Sequence, residues 1–228
     1  MLTRKYLLFI WTLVCLQQLS YAQTLPNGFV YIHDIDPSIV VELRYFGKEN
    51  FIGTPIEGYQ KSVGIVTKQT ARALKKVQKK LLKKNLSLII YDAYRPQQAV
   101  DHFARWAKEL NNTLQKKAYY PNVGKAELFE KGYIAYRSGH SRGSTVDLSI
   151  IDKSTPENSV IDMGSPYDYF GEESGVNYNK LTPRQLDNRK LLQVLMKKHR
   201  FLNYQQEWWH FTLKNEPFPD KYFNFPIK

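Results

Sequence analysis

Two histidines and one aspartate constrain the fold of this chain most strongly, because they lie far apart and act together only where the fold brings them together. His140 and Asp147 belong to the segment Ser-Gly-His-Ser-Arg-Gly-Ser-Thr-Val-Asp, and His210 ends the segment Glu-Trp-Trp-His. Two imidazole nitrogens and a carboxylate oxygen suit zinc, and three protein ligands leave a fourth position open for water. Glu207, three residues before the last ligand, is placed to take a proton from that water. The pattern predicts a metallohydrolase.

These side chains also have structural interpretations. A single histidine is more often a surface or hydrogen-bonded core residue than a ligand, and we interpret His33, His102 and His199 in that way. Asp147 alone would be read as the cap of a turn. We favour the metal site because its members occur together with the upstream segment Tyr-Arg-Pro, which contains Arg95.

The N-terminus has the composition of a secretory signal peptide. Arg4 and Lys5 form a basic start, and residues 6–16 are a mostly apolar run. Small residues in the segment 20–22 then offer a cleavage site. A membrane anchor is the alternative, but the apolar run is short for a bilayer span. We therefore predict a signal peptide over residues 1–22 and a periplasmic or other extracytoplasmic location.

Removal of this segment changes the composition that bears on function. Loss of Arg4 and Lys5 lowers the net charge from +12 to +10, and loss of Cys15 leaves no thiol as nucleophile, ligand or disulfide partner. The basic charge suggests a nucleic-acid ligand. However, the lysines of residues 75–84 alternate with apolar residues at helical spacing, which indicates the solvent face of an amphipathic helix. We expect no nucleic-acid partner, and unspecific attraction to an anionic envelope surface stays open.

The spacing of apolar residues past the signal predicts one domain of the α+β class. Helices are predicted from residue 67 onward, over 97–110 and over 182–199, and strands over 40–46, 86–91, 133–137, 146–151 and 208–213. The last helix has the clearest start, because Thr182 and Gln185 form a capping box around Pro183 at the first helical position.

The predicted strands are compatible with the ligand set. Successive side chains of a strand point to opposite faces, so the apolar neighbours of Asp147 and of His210 would face the core and the two ligands a common cleft. Glu207 is three positions from His210, which is the wrong face of a regular strand. We therefore predict a turn or bulge where that strand begins.

Several motifs in the same order resemble those of the M15 family of zinc peptidases, and within it the D-alanyl-D-alanine dipeptidases of the VanX type. The most specific are Ser-x-His-x-x-Gly-x-x-x-Asp and Glu-x-Trp-His, which contain the predicted ligands. Supporting motifs lie at residues 50–53, 91–96, 119–122, 163–165 and 223–226. The resemblance extends from about Asp36 to the last residue. It implies a small, mainly antiparallel sheet with helices packed on it and zinc in a cleft, as in hedgehog/D-Ala-D-Ala peptidase-like folds.

The resemblance also implies roles for individual residues. One zinc ion per chain would be held by the three ligands above, with Glu207 as general base and then general acid. Arg95 would stabilise the oxyanion of the tetrahedral intermediate. Ser138 would lie near the substrate, and Asp168 would recognise the free amino group of a small dipeptide. The implied activity of residues 23–228 is hydrolysis of D-alanyl-D-alanine to two D-alanines.

Two features depart from the family pattern. Gly139 stands where the family leads us to expect a second serine, and the signal peptide places the chain outside the cytoplasm. Two alternatives follow: a D,D- or L,D-carboxypeptidase of the same family that trims peptidoglycan stem peptides, or an envelope-binding module without turnover. For the mature chain we expect no membrane span, and the sequence gives no prediction of oligomeric state.

Overall fold

A central sheet determines where the candidate ligands lie. The computed structural model describes residues 24–228, so the predicted signal peptide lies outside the described residues. The strands are β1 (Phe29–Tyr31), β2 (Val40–Val41), β3 (Ile65–Thr67), β4 (Leu86–Asp92), β5 (Thr145–Asp152), β6 (Phe201–Tyr204) and β7 (Glu207–Leu213). The helices are α1 (Ile32–Ile35), α2 (Lys68–Leu82), α3 (Gln97–Lys108), α4 (Lys116–Tyr119) and α5 (Pro183–Lys198).

Five of these strands form one sheet in the order β2-β4-β5-β7-β6. Only the β2–β4 pair is parallel, and the pairs β4–β5, β5–β7 and β6–β7 are antiparallel. A separate antiparallel pair joins β1 to β3. The prediction of an α+β fold with a small, mainly antiparallel sheet is therefore confirmed.

The two long helices that cover the sheet begin where their sequences indicate. Thr67 caps α2, since its hydroxyl accepts from the backbone N–H of Thr70 at 3.4 Å. At α5 the backbone N–H of Thr182 donates to the side chain of Gln185 at 2.9 Å, and the reciprocal bond is 3.3 Å, which confirms the capping box. The apolar stripe of α2 is buried and its lysines are exposed, as predicted. Within residues 24–228 no helix combines the length and apolar character needed to cross a bilayer.

The two faces of the sheet differ in what they bury. On one face, Val146, Leu148 and Ile150 of β5 join Leu74 of α2 and Met196 of α5 in a continuous apolar cluster. On the other face, the alternate residues of β5 and β7 are mainly polar, and a second cluster lies around α3. This alternation positions the candidate site on the polar face.

Three predicted elements differ from the structure. The predicted strand over 40–46 pairs regularly only at β2, because the chain then turns into a 3₁₀ helix at Arg44–Phe46 that buries Tyr45. Residues 133–137 form no strand. The N–H groups of Tyr133 and Ile134 both donate to the carbonyl of Leu128, which holds this segment as a loop. The second predicted helix ends at residue 108 rather than 110.

Candidate metal centre and active site

Strands β5 and β7 place two of the three candidate ligands side by side. Asp147 lies directly opposite His210 in the antiparallel register. His140 comes from the 3₁₀ turn Gly139–Arg142 that precedes β5, and this turn ends at Gly143 in the left-handed conformation with φ of 79°. A Cβ at Gly143 would collide with the ring of Phe29, so only glycine fits both the φ and the space there.

The ligand atoms form a nearly equilateral triangle. Nε2 of His140 lies 3.3 Å from Oδ1 of Asp147 and 3.3 Å from Nδ1 of His210, and Nδ1 of His210 lies 3.1 Å from the same oxygen. Tetrahedral zinc with bonds of about 2.0–2.1 Å separates its ligand atoms by about 3.3 Å. Oδ1 of Asp147 is buried and has no hydrogen-bond partner among the described residues. The triangle and this orphaned oxygen fit a shared cation.

The tautomer of His140 is fixed by the other ring nitrogen. Nδ1 lies 2.7 Å from the carbonyl oxygen of Ala93, so it donates a proton there and leaves Nε2 free for a metal. Asp92 approaches the same Nδ1 at 3.5 Å and accepts hydrogen bonds from the hydroxyl of Tyr59 at 2.6 Å and from Nε of Arg95 at 2.8 Å. The buried Asp92 therefore orients both a ligand and the neighbouring arginine.

An irregularity in β7 brings Glu207 to the same side of the strand as the candidate ligand His210. The register between β6 and β7 shifts between Asn203, which faces Phe211, and Tyr204, which faces Glu207. The predicted bulge is therefore confirmed, and Oε2 of Glu207 lies 3.3 Å from Nδ1 of His210. Burial lowers the pKa of His210, but the carboxylates of Asp147 and Glu207 beside its ring outweigh burial and raise it to about 9. Two carboxylates thus concentrate negative charge where a cation would sit.

Arg95 lies beside the triangle immediately after β4. Besides its bond to Asp92, its Nη2 lies 3.4 Å from Oδ2 of Asp147. Its guanidinium packs over the ring of Tyr45 at 5.0 Å and over the ring of Phe103 at 5.1 Å. Burial opposes the charge, but the surrounding acidic groups raise the pKa of Arg95 well above its ordinary value. Arg95 is therefore a charged, fixed donor facing the cavity.

Asp168 is buried with one oxygen unused. It adopts a left-handed conformation with φ of 60°, and its Oδ1 accepts from the hydroxyl of Tyr45 at 3.1 Å. Its Oδ2 has no hydrogen-bond partner among the described residues. Burial and the charge of Asp147 raise the pKa of Asp168 well above its ordinary value, although Arg95 partly opposes this. A buried carboxylate with an unpaired oxygen is suited to receive a cationic group.

A buried arginine holds the loop that carries Asp168. Arg189 of α5 donates to the carbonyl oxygens of Met163 at 2.6 Å, Glu173 at 2.6 Å and Gly175 at 2.8 Å, which lie on both sides of Asp168 in the chain. These three bonds fix a loop without regular structure, so Asp168 is held in a defined place.

The structure gathers the seven residues singled out in the sequence around one cavity of about 250 Å³. Six of them line it: Arg95, Ser138, Asp147, Asp168, Glu207 and His210. His140 is fully buried behind the lining, and Ser138 accepts from its backbone N–H at 3.3 Å. Ser138 therefore caps the turn that carries a ligand.

Sequence reasoning missed further residues of the site. Tyr167 donates to Oδ2 of Asp147 at 3.3 Å, and Tyr45 and Asp92 make the contacts described above. Asp92 lies within the predicted motif at residues 91–96, and Tyr167 directly precedes Asp168, so membership of a motif or proximity to a predicted site residue was an available signal. Tyr45 had none, because its partner Asp168 is 123 positions away.

Comparison with known proteins identifies the family. Residues 26–228 match the family model of the M15 peptidases, which is described as D-ala-D-ala dipeptidase. The chain belongs to the M15 peptidase family. The resemblance predicted from the motifs is confirmed, and the protein is a hydrolase that acts on peptide bonds.

The relatives cover most of the chain. The D-alanyl-D-alanine dipeptidase of Enterococcus faecalis is 39% identical over 201 residues, which is 88% of this chain and 98% of the relative. The enzyme of the same name from Streptomyces coelicolor is 38% identical over the same shares. That from Escherichia coli is 31% identical over 78% of this chain and 81% of its own. A zinc-bound structure of the vancomycin resistance D,D-pentapeptidase VanY is 13% identical with a TM-score of 0.40, over 69% of this chain and 77% of its own.

Proposed function

We propose that this M15 peptidase is a zinc-dependent dipeptidase that hydrolyses D-alanyl-D-alanine to two D-alanines. The observation that carries the proposal is the triangle of His140, Asp147 and His210 beside Glu207, at a cavity that also contains the unpaired oxygen of Asp168. Relatives named as D-alanyl-D-alanine dipeptidases, up to 39% identical over nearly their whole length, support the substrate.

One zinc ion per chain would be held by Nε2 of His140, Oδ1 of Asp147 and Nδ1 of His210. Zinc bound there would lower the pKa of a water ligand to about 7 and would polarise a carbonyl group. These atoms are suited to bind a cation. The carbonyl of Ala93 fixes the tautomer of His140, and Oδ1 of Asp147 has no hydrogen-bond partner among the described residues.

Two side chains at the cavity transfer the proton and stabilise the developing negative charge. Glu207 accepts the proton of the attacking water and returns it to the nitrogen of the leaving D-alanine, which requires a carboxylate within hydrogen-bond reach. Arg95 donates to the carbonyl oxygen as negative charge develops there, and its bond to Asp92 keeps the guanidinium in place. Loss of one such donor costs about 10²–10³ in turnover.

Substrate length is set at the amino end. The free ammonium group of the dipeptide pairs with Asp168, beside the hydroxyl of Tyr45. An acylated amine carries no charge and would leave the buried carboxylate unpaired, so longer stem peptides are rejected. Ser138 lies at the same cavity and contacts the substrate.

We also propose that the protein is exported and meets its substrate at the cell wall. The support is the composition of residues 1–22, with its basic start, apolar run and small residues before a cleavage site. Cleavage there leaves residues 23–228 as a single dipeptidase domain in the periplasm or another extracytoplasmic compartment. Export also favours the second candidate function, a carboxypeptidase that trims peptidoglycan stems.

One substrate panel separates these functions. Purified, zinc-loaded residues 23–228 are incubated with D-Ala-D-Ala, with its N-acetyl form and with a stem pentapeptide, and released D-alanine is measured. We expect release from the free dipeptide alone, and its loss in Glu207→Ala. Release from the pentapeptide or the acetylated dipeptide would instead identify a carboxypeptidase, and binding without release from any substrate would identify a binding module.

A further inference from the structure

We infer that Arg137 binds the C-terminal carboxylate of the dipeptide, so that the enzyme selects a free carboxylate as well as a free amine. This inference rests on the proposed function, because it concerns the second end of the same substrate. It assigns a specificity role to a residue at the rim of the cavity.

The charges that line the cavity single out this arginine. Apart from the candidate ligand His210, its cationic lining residues are Arg95 and Arg137. Arg95 is already engaged by Asp92 at 2.8 Å and by Asp147 at 3.4 Å. Arg137 has no carboxylate partner in the part of the chain that the structure describes, and its one described contact is with the ring of Tyr222, 5.0 Å from its guanidinium carbon. Its donors are therefore available to a ligand.

Two opposite charges that line the cavity match the two charged ends of a zwitterion. A dipeptide at neutral pH carries an ammonium group at one end and a carboxylate at the other. Asp168 is 5% exposed, whereas Arg137 is exposed at the rim. With the ammonium group on the buried carboxylate and the scissile bond at the ligand triangle, the free carboxylate points toward the rim. The guanidinium fork matches a carboxylate in shape as well as in charge.

Local structure prepares Arg137 for this contact. Stacking on Tyr222 restricts the side chain, which reduces the entropy lost when a ligand is bound. Arg137 directly precedes Ser138, which caps the turn of His140, so its backbone is fixed relative to a ligand. Gly139 also lines the cavity and places no side chain between the rim and the scissile bond.

The test compares a dipeptide with and without its terminal charge. D-Ala-D-Ala and D-Ala-D-Ala amide are the probes, with wild type, Arg137→Gln and Arg137→Lys as zinc-loaded proteins. Arg105→Gln is the matched control, because Arg105 is an exposed arginine that pairs with Glu57 and does not line this cavity. Turnover is measured directly, and binding of both probes is measured by calorimetry with the same arginine variants in the Glu207→Ala background.

We expect Arg137→Gln to raise KM for the free acid about tenfold, with little change in kcat and none in KM for the amide. Arg137→Lys should recover part of the loss, and Arg105→Gln should match wild type. Equal effects on acid and amide, or no effect on either, would overturn the role of Arg137. Absence of turnover in wild type would overturn the dipeptidase function, and the calorimetry still decides the inference. Preferential binding of the acid that Arg137→Gln abolishes supports it, and equal or undetectable binding of the two probes overturns it.

Discussion

The two faces of the central sheet have different tasks although the same strands form both. On one face, alternate residues of β5 and β7, such as Leu148 and Phe211, pack with α2 and α5 in a closed apolar cluster. On the other face, Asp147 and His210 point into the cavity. The site takes its rigidity from the core, because each candidate ligand has apolar neighbours in the chain that fix its backbone.

If this division is correct, substitutions on the two faces have separable effects. Changes on the polar face reduce turnover or substrate binding and leave folding intact. Changes on the apolar face reduce the free energy of unfolding and leave the chemistry of the folded fraction intact.

The largest expected effect is on the polar face. Glu207→Gln removes the proposed proton acceptor but keeps the size of the side chain, so kcat for D-Ala-D-Ala should fall about 10³-fold. Steady-state kinetics measures this, with zinc content and thermal unfolding as checks on folding. The matched control is Glu130→Gln, an exposed carboxamide substitution that should match wild type. Retention of more than a tenth of wild-type turnover in Glu207→Gln would remove Glu207 from the mechanism.

The counterpart on the apolar face is Phe211→Ala. Phe211 is 1% exposed within the core cluster, and truncation of a buried phenylalanine costs about 3–5 kcal/mol in the free energy of unfolding. Urea denaturation measures the loss, and kcat per folded molecule should stay within a fewfold of wild type. Leu202→Ala on the neighbouring strand is the control, because Leu202 is exposed and should change stability by less than about 0.5 kcal/mol. A large fall in kcat with unchanged stability would contradict the division between faces.

Asp168→Asn should weaken substrate binding and at the same time stabilise the folded protein. The variant lacks the charge that we propose to pair with the ammonium group, so KM for D-Ala-D-Ala should rise about 100-fold with a smaller change in kcat. It also lacks a buried, partly unpaired carboxylate, so the free energy of unfolding at neutral pH should rise by about 1 kcal/mol. Equal losses in KM, kcat and stability would instead indicate that Asp168 supports folding.

The stability gain of Asp168→Asn has a defined pH dependence. Because burial raises the pKa of Asp168 in the folded state, the folded protein binds this proton more readily than the unfolded chain does. The wild type therefore loses stability as pH rises from the unfolded value of about 3.9 through the raised folded value. The advantage of the variant should be small below that window and grow across it, which denaturation at several pH values measures.

The smallest expected effect is at the start of α5, which packs on the apolar face of the sheet at a distance from the site. Thr182→Ala removes the side-chain oxygen that caps α5, and loss of such a cap costs about 1 kcal/mol in the free energy of unfolding. Thr182→Ser keeps the oxygen and is the matched control. Kinetic parameters should not change in either variant, and a lowered kcat in Thr182→Ala would show that α5 influences the site.

Sequence patterns predicted those helices whose start and orientation depend on residues close together in the chain. The capping box at Thr182 and the apolar stripe of α2 depend on residues a few positions apart, and both elements begin where expected. Residues 40–46 alternate like a strand, but only β2 pairs with another strand. The chain then turns where Tyr45 packs into the second cluster, the one around α3. Residues 133–137 are likewise extended in pattern and have no neighbouring strand, a fact that only tertiary structure reveals.

In the candidate site, too, some features could be predicted from the sequence and others could not. The ligand positions and the bulge at Glu207 followed from motif spacing and strand alternation. The contacts of Tyr45 with Asp168 and of Arg189 with the carbonyls around that loop join distant parts of the chain, so no spacing in the sequence indicates them. Sequence therefore predicts which side chains gather at the cavity, and the structure adds the residues that orient them.

Zinc content per chain tests the central claim most directly. After dialysis of zinc-loaded protein, metal analysis is made of wild type, of Asp147→Ala and of Asp187→Ala, whose aspartate is exposed on α5. The triangle of His140, Asp147 and His210 predicts one zinc per chain in wild type and in Asp187→Ala, and little in Asp147→Ala. Full zinc content in Asp147→Ala, or none in wild type, would contradict the account.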